Sequence, residues 1–579
     1  MAGADRRTLS PNWLPAPTTG AGGVQARGDA RRALPWLVLL WIFASWWNLD
    51  KAFHMDDAAH LEIAQWIAGH PLHPMSGLLN WTGDPEPIHR TNQPHLYFYL
   101  MAAWARLLGW DEASMHALQA AFTLAAVLAF HRLARAVAPG AALLLTALLV
   151  LSPGFVVNQN AMVEIPELAL CTAFYAVLVA GTAMPRARRY RIAAALASAA
   201  VLVKYTGLLL LPALVLDIVA REGAPARERL RLALIAAAPV LVLVAWSCFN
   251  FLDYGGVHLL ERPAAVATSD NEGVAAKAQA WVICLGVVAP GGAALLAAGA
   301  LRSLGGAWAR AAWIVTLAYP AVLLGLAATF LAGSLGDGAA YAGLRATASL
   351  SGAALLVLGA AASGAALARA RGERRADILL LAYWAWSAAA FVVLLAPFMA
   401  TRHALLSLPP LLLLAGRLVQ PWLTRGLCVP ALATAALVTA VMASGDAWYA
   451  DAYRRLAPEV RRALPAGVPV WFTGYHGWKW YAERAGLRQV AASHPVMQAG
   501  DLLVAQGIAP RINPAPGLAL LMVRRLPVER PCCVPYFVAP GRGFYLAVDG
   551  RLPWAMTRAP IDEIVIYEVV GAPGQLEGR

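Results

Sequence analysis

The chain has 579 residues, of which 60% are hydrophobic and 14% are charged, with a mean hydropathy of +0.57 and a formal net charge of +13. This composition does not suit a set of water-soluble domains and predicts a polytopic α-helical membrane protein. It excludes disordered, collagen-like and coiled-coil chains and a secreted disulfide scaffold.

Apolar runs long enough to cross a membrane recur along most of the chain. A helix rises about 1.5 Å per residue, so roughly 20 apolar residues cross about 30 Å of hydrocarbon. The runs predict about thirteen transmembrane helices, at 34–49, 114–131, 140–157, 165–184, 192–203, 206–220, 232–252, 280–301, 311–332, 341–368, 377–398, 404–420 and 427–444.

Arginines concentrate in alternate loops between these spans, which identifies those loops as cytoplasmic by the positive-inside rule. Because topology explains most of the net charge, no nucleic-acid partner is predicted. We expect a multi-pass protein of a bacterial-type inner membrane with its amino terminus in the cytoplasm. An odd number of spans places the carboxyl terminus on the extracytoplasmic side.

The positions of charged residues also determine how two ambiguous segments are assigned. Pro94–Trp110 is apolar enough to span, but counting it would place Arg132 and Arg135 outside, so it is interpreted as a helix at the outer interface. One long helix over Arg191–Arg221 would bury Lys204 near the midplane, at a cost of roughly 2.5–3.5 kcal/mol or more. Two short spans that turn at Lys204 avoid this cost and place the lysine at the outer surface.

Three regions follow from these assignments. Residues 1–33 are predicted to be a cytoplasmic tail, 34–444 a transmembrane domain with a large first external loop at 50–113, and 445–579 an extracytoplasmic α/β domain. Within the last region an amphipathic helix is predicted at 449–464 and a strand at 468–473. Further segments follow at 475–486, 518–524 and 561–570, separated by proline and glycine, and together they resemble a small α/β domain.

The predicted external loops carry carboxylates and cations that come from distant parts of the chain. Asp56 lies in the first loop, Glu164 follows the third span, Lys204 is at its turn, and Arg402 precedes a later span. Two acids and two cations facing one side indicate a site for a charged substrate and acid–base chemistry. Each also has a structural interpretation, since Asp56 and Glu164 suit helix N-termini, Lys204 could reach to phospholipid, and Arg402 suits an interface anchor.

The order of several short motifs resembles the GT-C class of polyprenyl-phosphate-dependent glycosyltransferases. The branch most similar is that of the lipid A aminoarabinose transferases and protein O-mannosyltransferases, and the resemblance covers about residues 34–420. The motifs are the acidic pair Asp56-Asp57, Pro94-His95-Leu96-Tyr97-Phe98-Tyr99, Ser152-Pro153, Glu164-Ile165-Pro166, Lys204-Tyr205-Thr206-Gly207 and Arg402-His403 with its following leucines and Pro409.

The resemblance implies transfer of a sugar from a polyprenyl-phosphate donor to an acceptor on the outer face of the membrane. Asp56 then matches the catalytic base, Asp57 takes the second position of the acidic pair, and Glu164 matches a further acid. Lys204 and Arg402 are implied as ligands of the donor phosphate. The remaining candidate residues are Arg90 as a third phosphate ligand and His60, His95, Tyr97 and His403 around the substrate cavity.

Two positions depart from the family pattern. Gln93 stands where a lysine is expected near the donor phosphate, and Ala59 where an arginine is common. These differences leave the acceptor open: a lipid, a glycan or a protein. The expected partners are therefore the polyprenyl-phosphate-linked sugar donor and membrane lipids.

Three alternatives stay open at this point. No cofactor is assigned, but six of the twelve histidines lie in the first external loop, so a divalent metal ion is not excluded. The chain could instead transport or flip a lipid-linked sugar, in which case inverted repeats and midplane charges are expected. A non-catalytic membrane scaffold is the third alternative.

Overall fold

The computed structural model describes residues 22–81, 83–91, 93–221, 225–261, 273–491, 493, 496–507, 518–529, 544 and 552–571. Most of the predicted cytoplasmic tail, at 1–21, lies outside the described residues. The helices up to residue 254 are α1 (Gly22–Trp46), α2 (Asp57–Gly69), α3 (Ile88–Thr91), α4 (Leu96–Leu108), α5 (Glu112–Val137), α6 (Ala142–Val150), α7 (Pro153–Val157), α8 (Glu164–Ala180), α9 (Arg186–Val203), α10 (Leu210–Ala220), α11 (Ala226–Ala236) and α12 (Ala238–Tyr254).

The second half of the chain is also mainly helical. Its helices are α13 (Val274–Val288), α14 (Gly292–Ser303), α15 (Gly306–Leu331), α16 (Asp337–Arg369), α17 (Gly372–Ala390), α18 (Thr401–Ala404), α19 (Leu408–Val419), α20 (Arg425–Ala463) and α21 (His476–Arg484). The strands are β1 (Leu78–Asn80), β2 (Pro85–Pro87), β3 (Val470–Thr473), β4 (Arg488–Gln489), β5 (Leu502–Gln506), β6 (Ala519–Val528) and β7 (Asp562–Val570).

Six helices in the described ranges are long and apolar enough to cross a membrane, and one bent pair would make seven. Further apolar helices, too short for this test, occupy parts of other predicted spans. The structure is therefore that of a multi-pass helical membrane protein, and the count of thirteen spans stays a prediction. The six helices cover 112–137, 226–254, 306–331, 337–369, 372–395 and 425–463.

The span predicted at 280–301 is not one straight helix. It is formed by parts of α13 and α14, which meet at an angle of 88°. Pro290 has no backbone N–H and disfavours helical geometry at Ala289 before it, and Gly291 has a φ of 74°. These three consecutive residues bend the chain, so this segment is a broken span or a re-entrant loop.

The helix α20 continues through the predicted domain boundary at residue 445. Its 39 residues would extend about 58 Å, roughly twice the hydrocarbon thickness. The apolar first part suits the membrane, and the amphipathic second part includes the segment predicted as a separate helix at 449–464. The change in composition therefore occurs within one continuous helix.

The segment beyond α20 contains a mixed five-stranded sheet in the order β4-β3-β5-β7-β6. Strand β3 is parallel to β4 and β5, whereas β7 is antiparallel to β5 and β6. The predicted strand at 468–473 overlaps β3, and the segments at 518–524 and 561–570 form parts of β6 and β7. On the central strands Val504 pairs with Ile566, and both side chains are buried.

The helix α21 connects this sheet to the first loop. Trp478 is fully buried and contacts Phe472 of β3 and Tyr453 of α20 edge-on, with ring centroids 6.4 and 6.2 Å away. A Cβ on Gly477 would lie only 2.3 Å from the carbonyl oxygen of Phe53. Glycine at this position therefore lets α21 reach the backbone just before Asp56.

Candidate active site

A cavity of about 350 Å³ lies where the first loop, the start of α8, the break between α9 and α10, and the segment 391–406 meet. Its wall combines ionisable groups with a large apolar area. The lining residues are Asp56, His60, Trp81, Gln93, Met162, Val163, Glu164, Lys204, Tyr205, Thr206, Phe391, Val392, Leu395, Ala396, Pro397, Phe398, Arg402, His403 and Leu406.

Asp56 occupies the N-cap position of α2, but its carboxylate makes no capping hydrogen bond. The neighbouring Asp57 is the residue that holds the local turn, because its Oδ2 accepts the backbone N–H of His54 at 2.8 Å. The side chain of Asp56 is 15% exposed and lines the cavity. Helix capping therefore does not explain the presence of an aspartate at position 56. Its carboxylate lies at the positive end of a helix and is available for chemistry.

The two residues with positive φ other than glycine in the described ranges both lie beside Asp56. Met55, which precedes it, has a φ of 50°, and His476 of α21 has a φ of 58°. His476 Nδ1 lies 4.0 Å from Asp56 Oδ1. Such conformations cost on the order of 1–3 kcal/mol each and concentrate at functional sites. The packing around Asp56 thus holds the backbone of both Met55 and His476 in a strained conformation.

Burial lowers the pKa of His476 to about 4, even though the Asp56 carboxylate favours the protonated ring. The imidazole is therefore neutral at physiological pH. It shields one side of Asp56 from water without neutralising the carboxylate with a positive charge.

Lys204 lies at an extended residue between α9 and the following turn, with φ −157° and ψ 139°. Its Nζ donates to Glu164 Oε1 at 3.2 Å and lies 3.7 Å from Glu167 Oε2. A Cβ on Gly207 would lie 2.5 Å from the backbone of Ala200, so only glycine allows the chain to turn this closely. The Lys-x-x-Gly motif is thus a tight break that aims its lysine at the start of α8.

Burial alone disfavours the charged form of Lys204, but the carboxylates of Glu164 and Glu167 outweigh burial and raise the pKa of the lysine. The ammonium group is therefore a fixed positive charge. Its side chain is 12% exposed and lines the cavity, so it does not extend to the lipid surface.

Arg402, from α18, lies close to both Asp56 and Glu164. Its Nε lies 3.4 Å from Glu164 Oε1 and its Nη1 lies 3.6 Å from Asp56 Oδ2. Neither contact is a hydrogen bond, and within the described part of the chain Arg402 Nε and Glu164 Oε2 are buried without a hydrogen-bond partner. Buried groups with unused hydrogen-bonding capacity, facing a cavity, indicate a site for a polar ligand.

The structure brings together six of the predicted site residues and places four elsewhere. Asp56, Glu164, Lys204, Arg402, His60 and His403 line the cavity. His60 Nδ1 donates to the carbonyl of Ala161 at 3.1 Å, and burial lowers the pKa of both His60 and His403, so these rings are neutral.

The other four candidates are outside the cavity lining. Asp57 is fully buried behind it, and burial raises its pKa to about 8. Tyr97 is buried and donates its hydroxyl proton to Gln119 Oε1 at 2.8 Å. His95 is buried against Phe98, and Arg90 is exposed at the end of α3. These four side chains therefore do not line the cavity, which their predicted roles in catalysis and binding would require.

Sequence reasoning missed other residues of the site. Glu167 is one turn after Glu164 and accepts a hydrogen bond from the Thr206 hydroxyl, and its i, i+3 spacing was a usable signal. Trp81 of the first loop also lines the cavity, whereas Gln93, another lining residue, occupies the position that the family resemblance places near the donor phosphate. His476 had no local signal, because it reaches Asp56 only through the packing of α21.

The arrangement offers no ready metal site within the described ranges, where no group of three or more His, Cys, Asp or Glu side chains is placed to hold an ion. The chemistry available from the chain's own residues is a carboxylate base beside two cations. The rest of the lining, including Phe391, Leu395 and Leu406, is apolar. Such a cavity suits a ligand with an anionic head and a hydrocarbon tail.

Residues 92–249 match the family model of the dolichyl-phosphate-mannose-protein mannosyltransferases. This match confirms the resemblance to polyprenyl-phosphate-dependent glycosyltransferases over that segment, which contains Glu164 and Lys204. No curated protein sequence matches the chain.

Several solved structures share parts of the architecture at low identity. The archaeal oligosaccharyltransferase AglB from Archaeoglobus fulgidus is 13% identical, with 81% of this chain and 69% of that chain covered and a TM-score of 0.47. ArnT from Cupriavidus metallidurans, bound to undecaprenyl phosphate, is 13% identical, with 83% and 93% covered and a TM-score of 0.41. The arabinofuranosyltransferase AftD from Mycobacteria is 15% identical, with 93% and 42% covered and a TM-score of 0.41. Because all three TM-scores are below 0.5, the family likeness rests on the sequence match.

Proposed function

We propose that this chain is a glycosyltransferase that transfers a sugar from a polyprenyl-phosphate donor to an acceptor on the outer face of the membrane. The observation that carries this proposal is the cavity in which Asp56, Glu164, Lys204 and Arg402 meet beside an apolar wall. The family match over 92–249 supports the same class of donor. The sugar and the acceptor, whether lipid, glycan or protein, stay open.

The donor phosphate binds between Lys204 and Arg402. Lysine supplies a point charge and arginine a planar set of donors, of which Nε has no hydrogen-bond partner within the described residues. Glu164 holds both cations in position before the donor arrives, at 3.2 and 3.4 Å. The prenyl chain lies along the apolar wall and in the bilayer, where each buried CH₂ contributes about 0.8 kcal/mol.

In the reaction, Asp56 removes the proton from an acceptor hydroxyl as its oxygen attacks the anomeric carbon. The bond from that carbon to the phosphate oxygen breaks, and its electron pair leaves with the polyprenyl phosphate. Lys204 and Arg402 stabilise the additional negative charge on the phosphate. One displacement inverts the anomeric centre, and a positioned base accounts for roughly 10²- to 10⁴-fold of the rate.

Asp56 is a better candidate for the base than Glu164. Two cations lie within 3.4 Å of Glu164, whereas Asp56 has one cation at 3.6 Å and a neutral imidazole at 4.0 Å. Positive charge close to a carboxylate weakens it as a proton acceptor. Glu164 therefore orients the cations and stabilises positive charge on the sugar ring.

Charges at the two ends of α10 support the proposed location of the site. The cavity is at the Lys204 end of α10, and Arg221 follows the other end, where it pairs with Asp217 and Asp377 at 2.7 and 2.9 Å. Arg221 belongs to the arginine-rich loops that the positive-inside rule assigns to the cytoplasm. The proposed site therefore faces outward, in a bacterial-type inner membrane with a cytoplasmic amino terminus and an extracytoplasmic carboxyl terminus.

Purified protein in lipid nanodiscs, supplied with a polyprenyl phosphate carrying a radiolabelled sugar, tests this proposal. The proposal predicts that free polyprenyl phosphate forms together with a labelled acceptor product. A transporter would instead move a fluorescent lipid-linked sugar between leaflets of proteoliposomes without cleaving it, and that result would reject the transferase.

A further inference from the structure

A second cavity, of about 390 Å³, lies at the opposite ends of the helices that form the first. Ile378 of α17 lines the second cavity and Phe391, just after α17, lines the first, a separation of about 20 Å along a helix. Likewise Leu406, just before α19, lines the first cavity and Arg417 of α19 lines the second. The complete lining is Ala362, Ala366, Arg369, Ala370, Arg371, Arg374, Ile378, Leu414, Arg417 and Leu418.

Four of these ten residues are arginines and none is acidic. Among the described residues, Arg371, Arg374 and Arg417 form no salt bridge; Arg371 donates to the carbonyls of Ala368 and Ala370. Arg417 donates to the carbonyl of Val137 at 2.8 Å. These carbonyls do not cancel a full positive charge, so the cavity has a strong preference for an anion.

The nearest acids on α17 are engaged elsewhere. Glu373 and Asp377 both accept hydrogen bonds from Arg221, on the side of the helix toward α10. They therefore compensate Arg221, and the charge of Asp377 also acts on Arg417, but within the described residues neither acid forms a salt bridge with Arg371 or Arg374.

The remaining lining residues are aliphatic and continue along α16, α17 and α19. Ile378 and Leu414 are buried, and Ala362 and Ala366 form the small-residue side of the cavity. A free anion would use the arginines alone, whereas a phospholipid would use both parts of the wall. Basic cavities between membrane helices on the cytoplasmic side are suited to acidic headgroups.

We propose that this cavity binds an acidic phospholipid of the cytoplasmic leaflet, with its phosphate on the arginines and an acyl chain against the aliphatic wall. The site is separate from the transfer site and does not depend on the proposed function. Both α17 and α19 run from this cavity toward the transfer site.

Native mass spectrometry of delipidated full-length protein tests the proposal, with phosphatidylglycerol and phosphatidylcholine of identical acyl chains as probes. We expect phosphatidylglycerol to bind at least tenfold more tightly. The double variant Arg371→Gln/Arg374→Gln should remove most of this preference, and Arg371→Lys/Arg374→Lys should keep most of it. Arg375→Gln is the matched control, because Arg375 is exposed on the same helix but is outside the cavity lining.

Three results would overturn the proposal. One is equal affinity for the two lipids, and another is the same loss of preference with Arg375→Gln as with the double glutamine variant. The third is displacement of phosphatidylglycerol by an equal concentration of inorganic phosphate, which would identify a simple anion site. Should the glutamine pair fail to fold, Arg374→Gln alone has to lower the preference for phosphatidylglycerol.

Discussion

Arg402 Nη1 lies 3.6 Å from Asp56 Oδ2, so a proposed phosphate ligand and the proposed base are neighbours in the wall of the cavity. In a displacement with inversion, the attacking and leaving oxygens are on opposite sides of the anomeric carbon. The donor sugar must therefore enter between these two side chains. Because the contact is too long for a hydrogen bond, no hydrogen bond between these side chains has to break when they separate.

Asp56→Asn should abolish most transfer and leave the fold intact. Asparagine keeps the size of the side chain but cannot take the acceptor proton, so we expect a loss of about 10²- to 10⁴-fold in kcat. Transfer of radiolabelled sugar measures the effect. Asp50→Asn is the control, because Asp50 is 88% exposed in the same loop. Full activity in folded Asp56→Asn would remove this residue as the base.

Lys204→Met should weaken use of the donor much more than use of the acceptor. Loss of one charge-assisted hydrogen bond, about 1.5–3 kcal/mol, corresponds to roughly 10- to 100-fold in donor kcat/KM. Lys204→Arg retains the charge and should retain more activity. Separate titrations of donor and acceptor distinguish the effects, and an equal rise in both KM values would contradict the phosphate assignment.

The same lysine substitution should also destabilise the protein. Glu164 and Glu167 are 7% and 1% exposed at their side chains, so Glu167 would lose the cation that compensates its burial and Glu164 would keep only Arg402. Removal of one partner from a buried ion pair costs about 3–5 kcal/mol. Thermal unfolding should show a lower Tm for Lys204→Met than for Lys204→Arg. Equal Tm values would mean that other groups stabilise the buried carboxylates when the lysine charge is lost.

His476 should make the folded protein sensitive to acid. Its pKa of about 4 in the folded state is below the ordinary value of 6.5. As the pH falls, the unfolded chain therefore binds this proton before the folded chain does. The stability that the neutral ring contributes above pH 6.5 is lost as the pH falls through the pKa of the folded state. Between pH 7 and pH 4 the loss amounts to at most roughly 3 kcal/mol.

The variant His476→Asn isolates this contribution, because asparagine tolerates the positive φ at this position. Thermal unfolding at pH 7, 6, 5 and 4 should show a shallower decline for His476→Asn than for the unmodified protein. The exposed His70 provides a control, and His70→Asn should follow the unmodified protein. Parallel curves for His476→Asn and the unmodified protein would contradict the assignment.

Gly477→Ala should displace α21 from the first loop. The added methyl group would lie 2.3 Å from the carbonyl oxygen of Phe53, which is backbone and cannot rotate away. Overpacking of this kind costs about 1–3 kcal/mol, which exceeds the roughly 0.5–1 kcal/mol that a helix gains from glycine to alanine. We expect a lower Tm and reduced transfer, because α21 also carries His476.

Gly69→Ala is the matched control for this substitution. Gly69 ends α2 in the same loop, and no atom would lie within 4 Å of its Cβ. We expect an unchanged or slightly higher Tm for Gly69→Ala. A similar loss of stability in both variants would show that the contact between Gly477 and Phe53 is not what limits the packing.

Much of the site could be predicted from local patterns and charge. The break at Lys204 followed from the cost of a lysine at the midplane, and the structure has an extended residue there. Sidedness placed Asp56, Glu164 and Arg402 at one surface, and the structure brings them into one cavity. The meeting of these side chains could be predicted because charge and hydropathy constrain where each segment lies relative to the membrane.

The rest depended on packing between distant segments. The 88° bend near Pro290 interrupts an apolar run, and apolar composition alone does not reveal where a helix turns back. The helix α20 changes from apolar to amphipathic without a break, so composition suggested a boundary that its backbone does not have. The contact of His476 with Asp56 arises only when α21 docks on the first loop, which no local pattern encodes.

A structure of the protein with a bound polyprenyl phosphate would test the central claim most directly. The account predicts the phosphate within hydrogen-bonding distance of Lys204 and Arg402, with the prenyl chain leaving past Phe391 and Leu395. The Arg402 guanidinium should then have moved away from Asp56. A phosphate bound elsewhere, with Lys204 and Arg402 still paired to Glu164, would contradict the proposed transfer site.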